Sequence, residues 1–188
     1  MSNVRLKKIN AILSLLTILA ILVHIGFSVY AYLTLTYHPT IKGLTSRPFM
    51  ALACIHAIFG VVMVIPKISG IRLYPRENVR TIFQRLSALS VIPLLILHLN
   101  LYNLLRSSAL SGKWVSFSLL LFCQALFYGM VLLHIAVSLT RALITMGWLA
   151  SREKQKSIDR IVCGVCAVVF VVAVCAIMKG QLDMFLPK

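Results

Sequence analysis

Acidic residues are almost missing. The 188-residue chain has four Asp and Glu against 19 Lys and Arg, and only 12% of it is charged. Glu77, Glu153, Asp159 and Asp183 are all expected outside the apolar stretches. This scarcity argues against a carboxylate-based ion pump or proton-coupled transporter, which needs acids within its spans. Cysteine is equally uninformative for metal chemistry. Cys163 and Cys166 form a lone CxxC inside an apolar run with no second pair, and zinc-type spacing requires one. Cys54, Cys123 and Cys175 are expected to be ordinary packing residues. Alternating apolar and polar positions, the mark of barrel strands, are also lacking.

What remains is apolar sequence. The chain is 60% hydrophobic, with a mean hydropathy of +0.95, whereas soluble domains carry about 25% charged residues. A small domain cannot hide that much apolar surface from water, so the bilayer is the solvent. About 20 apolar residues cross it as a helix. Five segments qualify, at about 9–35, 48–66, 82–105, 114–149 and 158–178, and predict an all-α bundle of five transmembrane helices forming a single domain. Arg5, Lys7 and Lys8 precede the first run as they would in a signal peptide. That run is too long for one and lacks a clear cleavage site, so it is read as a retained helix.

The formal charge of +15 is distributed by topology and not as a nucleic-acid footprint. Lys and Arg total 13 on one set of alternating connections and 6 on the other. The positive-inside rule then predicts a cytoplasmic amino terminus and an outside carboxy terminus in a cytoplasmic (inner) membrane, and five helices require that opposition.

His24, His56, His98 and His134 each fall in a different one of the first four spans. An unpartnered imidazole in lipid costs on the order of a few kcal/mol, and intramembrane ionisable groups are functional candidates. At 1.5 Å per residue, pairing His24 with His98 and His56 with His134 leaves depth mismatches of ~4 and ~6 Å, the smallest total. This predicts two stacked bis-histidine sites. Ser28, Gly60 and Ser138 follow three of the histidines at i+4 on the same helix face, leaving room for a flat ring; Tyr102 after His98 breaks the pattern. A zinc site is disfavoured, since it would gather all four ligands at one point with no obvious supporting carboxylate.

Gln84-Arg85-Leu86-Ser87, with His98 thirteen residues beyond the arginine, resembles the QR-x-[ST] helix of the di-haem cytochrome b anchor of succinate:quinone oxidoreductases. His56-Ala-Ile-Phe-Gly60 is similar to the HxxxG helix of that family, and the spacings of 32 residues (His24 to His56) and 36 (His98 to His134) read as two related hairpins plus a fifth helix. The resemblance implies that His24 and His98 hold a distal haem b, and His56 and His134 a proximal one. It implies electron transfer with a membrane quinone, menaquinone in preference to ubiquinone. It also implies cytoplasmic flavoprotein and iron–sulfur subunits of a succinate dehydrogenase or fumarate reductase. Arg85 becomes a candidate for a haem propionate, and Gln84 and Ser87 for quinone, with His38 and Asn103 near the other face. Lys67, Arg72, Arg76, Arg80, Arg152, Lys154 and Lys156 would form a basic surface toward partners or anionic lipid. Leu132 stands where some fumarate reductases carry a glutamate, so the likeness does not extend to a membrane carboxylate relay. Two rivals remain: the cytochrome b subunit of a hydrogenase or formate dehydrogenase, and a haem-free scaffold or transporter with its histidines bonded between helices.

Overall fold

The computed structural model describes residues 3–64 and 75–186. It is all-helical among them, with five helices: α1 (Asn3–Thr34), α2 (Pro39–Val64), α3 (Pro75–Leu110), α4 (Trp114–Thr145) and α5 (Arg152–Phe185). Each is long and apolar enough to span a membrane. In lipid only a helix or closed barrel satisfies every backbone N–H and C=O, and these continuous apolar runs carry the helical solution.

The ends follow local chemistry. Gly112 (φ +63°) and Gly147 (φ +80°) adopt the left-handed conformation and stop α3 and α4 with paired bonds. Gly112 and Lys113 donate to the carbonyls of Ala109 and Ser108, and Gly147 and Trp148 to those of Ile144 and Leu143. This closing arrangement needs a residue free to reach positive φ. It ends α4 at Thr145, short of the expected 149, because apolar Trp148 and Leu149 continue the hydropathy but not the helix. Ser151 caps α5 by accepting from the Lys154 N–H at 3.2 Å.

The other helices run past their apolar cores, since hydropathy marks the lipid-facing length and not the last hydrogen-bonded turn. α2 begins at Pro39 instead of 48 and carries Pro48 inside it. α3 starts before the expected 82 and α5 continues beyond 178. Each added stretch makes a tertiary contact. From α3, Arg80 meets Asp159 in a two-pronged ion pair, both contacts 2.7 Å, and also donates to the Val137 carbonyl at 3.0 Å. Thr140 donates to the same carboxylate. Asp159, at the end of the expected fifth span, lies within α5 and ties α3, α4 and α5 together. Arg80 is correspondingly withdrawn from the expected basic platform. Lys67 and Arg72 lie outside the described residues, as does the side chain of Arg76.

Both partners of the pair are about a third exposed, which places it between the exposed and buried limits for ion pairs. Asp159→Ala is expected to cost roughly 1–3 kcal/mol, seen as a lower Tm in detergent; an unchanged Tm would remove the tie from the account.

The helices pack in a particular order. α1 lies on α2, α3 on α4, and α4 on both α1 and α5, while α5 fills the groove beside α1. Among the described residues no Cα of α2 lies within 8 Å of one in α3, α4 or α5, and none of α1 lies that near α3. The first four helices thus form a bundle open along the α2/α3 side. Its apolar core lies between α1, α4 and α5, from Ile21 and Ile25 through Phe127, Val131 and Ile135 to Ala173 and Ile177. None of the described α2 side chains is buried.

Candidate functional site

All four intramembrane histidines are half-buried and turned into the bundle. His56 on α2 and His134 on α4 approach to 6.4 Å between ring centroids, with planes 62° apart, across helices whose backbones stay separate. Packed helices normally lie 8–10 Å axis to axis, so imidazoles bridge a space that the backbones do not close. Two imidazoles on opposite sides of one iron would have centroids about 6.2 Å apart, taking metal–nitrogen bonds of about 2.0 Å. The observed separation fits one shared iron. His24 on α1 and His98 on α3 lie within electrostatic reach of one another and of Lys42, again on helices without close backbone contact.

The hydrogen bonds define which ring nitrogen is free. Ser87 donates its hydroxyl proton to the Gln84 carbonyl at 3.1 Å, so its lone pairs face His134. His134 Nδ1–H then donates to Ser87 Oγ at 3.1 Å and to the Gln84 carbonyl at 3.2 Å. The same logic holds at His24. Thr45 gives its proton to the Lys42 carbonyl and accepts from His24 Nδ1–H at 3.3 Å. At His98 the acceptor is the Gln124 side-chain oxygen, 3.0 Å from Nδ1. The backbone carbonyl fixes His134 with its proton on Nδ1, and the contacts at His24 and His98 suit the same tautomer, which leaves the Nε2 lone pair for a metal, the usual arrangement of an iron- or zinc-bound imidazole.

His56 differs. Its Nδ1 is buried without a partner among the described residues, as are Asn10 Oδ1 and Ser138 Oγ. All three residues line one cavity of about 110 Å³, together with Lys7, Ser14, Gln84 and Arg141. An unpaired buried polar atom costs about 1–3 kcal/mol, a cost that a polar occupant of this cavity would relieve. Arg141 reaches into it while donating to Gln84 Oε1 at 2.6 Å and to Thr81 Oγ1 at 2.7 Å.

The proposed contacts are redistributed accordingly. Arg85 is half-buried and does not line the chamber; Arg141 and Lys7 do. Ser87 is fully buried and its hydroxyl supports His134. Gln84 serves His134 through its backbone and Arg141 through its side chain. His38 and Asn103 are exposed near helix ends. Of the small residues, Gly60 has nothing within 4 Å of where a Cβ would stand, Ser138 faces the chamber, and Ser28 bonds back to the His24 carbonyl. Tyr102, the exception, is 53% exposed and rests on Phe185, so it does not crowd His98.

Thr45, Gln124, Lys42, Lys7 and Arg141 were not foreseen as site residues. Gln124 was legible in principle, as a lone amide in the apolar run Phe122-Cys123-Gln124-Ala125-Leu126-Phe127. Thr45 was not, because its place opposite His24 depends on α2 extending back to Pro39. Among the described residues no group of three or more His, Cys, Asp or Glu could hold a metal ion. No protein-family model, curated protein or solved structure matches the chain.

Proposed function

We propose that this chain is the di-haem b membrane anchor of a succinate dehydrogenase or fumarate reductase complex. The observation that carries this reading is the set of imidazoles on helix pairs held apart at the backbone, three of them bonded through Nδ1, with His56 and His134 at a separation suited to one iron. Haem b, when bound, would supply reversible one-electron transfer.

The chain's own residues do the rest. His56 and His134 hold the proximal group, and His24 and His98 the distal one. Ser87, the Gln84 carbonyl, Thr45 and Gln124 keep the ring tautomers fixed. Lys7 and Arg141 line the chamber beside His56, where they would pair with the carboxylates of the proximal group and Asn10 and Ser138 would supply hydrogen bonds, and Lys42 lies within electrostatic reach of the distal pair. The open α2/α3 side admits a flat ring from the lipid, and Gly60 leaves its face clear. Exposed Arg152, Lys154 and Lys156 at the start of α5 present positive charge to flavoprotein and iron–sulfur partners on the cytoplasmic face. Quinone exchanges electrons in the membrane.

The test is a pyridine haemochrome assay and a reduced-minus-oxidised spectrum of the complex purified from haem-replete cells. Two haem b per chain and b-type bands are expected. A colourless protein would leave the haem-free scaffold. A co-purifying nickel or molybdenum subunit, in place of a flavoprotein, would move the assignment to a hydrogenase or formate dehydrogenase.

A further inference from the structure

We infer that Gln124 is a positioning residue that sets the reduction potential of the His24/His98 centre through its bond to His98. The inference rests on the di-haem reading and assigns a role to a neutral amide that the reading does not require.

Gln124 is 4% exposed, on a helix otherwise apolar along this face. Its Oε1 lies 3.0 Å from His98 Nδ1. Phe127 stacks on the same imidazole at 4.8 Å and Tyr128 meets it edge-on at 6.2 Å. Positions 124, 127 and 128 are i, i+3 and i+4, one face of α4, so a histidine on α3 is gripped by a cradle from its neighbour. The orientation of the amide matters. With oxygen toward Nδ1, the ring proton sits there and Nε2 is a ligand. With nitrogen toward Nδ1, the proton would move to Nε2 and close the coordination site.

The other two supports are of a different kind. Thr45 and Ser87 are hydroxyls that also bond to backbone carbonyls, and His134 has a second, main-chain acceptor. Gln124 makes no such main-chain bond among the described residues; its other neighbour is the Tyr128 hydroxyl, one turn along α4. An acceptor at Nδ1–H makes Nε2 more electron-rich, which favours the oxidised metal and lowers the potential; an ionised carboxylate does so more strongly.

The experiment is an optical redox titration at pH 8 of the purified holo-complex carrying Gln124→Leu or Gln124→Glu, with haem content measured in parallel. One centre is expected to rise in potential with Leu and fall with Glu, while the other keeps its wild-type value. Opposite shifts at one centre are a signature that a packing defect does not produce. Shifts of one sign, equal shifts at both centres, or no shift overturn the inference. Gln124→Met, of similar length without the acceptor, replaces Leu if that variant loses haem. Loss of one haem in both Leu and Met with retention in Glu supports the acceptor role, and loss in all three overturns it. Absence of haem from the wild type would instead sink the di-haem reading itself.

Discussion

Alanine at His24 together with alanine at His98 is expected to leave one haem per chain, as either change does alone. Alanine at His24 together with His134 is expected to leave none. The asymmetry follows from which helices share a centre. If His24 were paired with His56 or with His134, the first double variant would empty both sites. Depth along the helices favours the 24/98 and 56/134 partition, and the 6.4 Å approach of His56 to His134 accords with it. The effect would be large because each haem of the proposed pair would lose one of its two protein ligands. Size-exclusion profiles would confirm that each variant remains assembled. Two haems retained in any single variant would refute the ligand set.

Gly180→Val is expected to be the most damaging change outside the histidines. A Cβ at this position would stand 2.6 Å from Tyr32 Cδ1 and 2.8 Å from the Tyr32 carbonyl oxygen. The backbone oxygen cannot step aside without parting α1 from α5. The tyrosine ring is also held, since Gln181 Nε2 donates to its hydroxyl at 2.7 Å. Overpacking of a filled interface costs roughly 1–3 kcal/mol for small additions; Gly180→Ala should show that scale as a reduced Tm, and Val more. Because α1 also carries His24, two turns before Tyr32, the distal haem should be depleted before the proximal one. A wild-type Tm and full haem content in Gly180→Val would show that the crossing can relax.

Much of the architecture could be read from the chain before any coordinates. Spans of apolar residues, each about a bilayer long, dictate five helices because lipid offers the backbone no other partners. The four histidines and their distribution were equally visible, since a polar ring inside an apolar run stands out by contrast. Arg80 and Asp159 show where such reading stops. Both looked like solvated charges at span ends, yet the amino-terminal parts of α3 and α5 bring them together at 2.7 Å. Arg85 and Arg141 show the same limit: the motif drew attention to the former, while helix rotation turns the latter toward the chamber.

The sequence by itself determined the membrane class, the helix number and the position of each imidazole along its helix, because these depend only on local composition and a constant rise per residue. The tertiary structure alone decided which ring nitrogen is free, which cation lines the chamber and how far apart the helices stand. Those properties belong to pairs of residues tens of positions apart, such as His98 with Gln124, and they exist only once helix rotation and packing bring the partners within bonding distance.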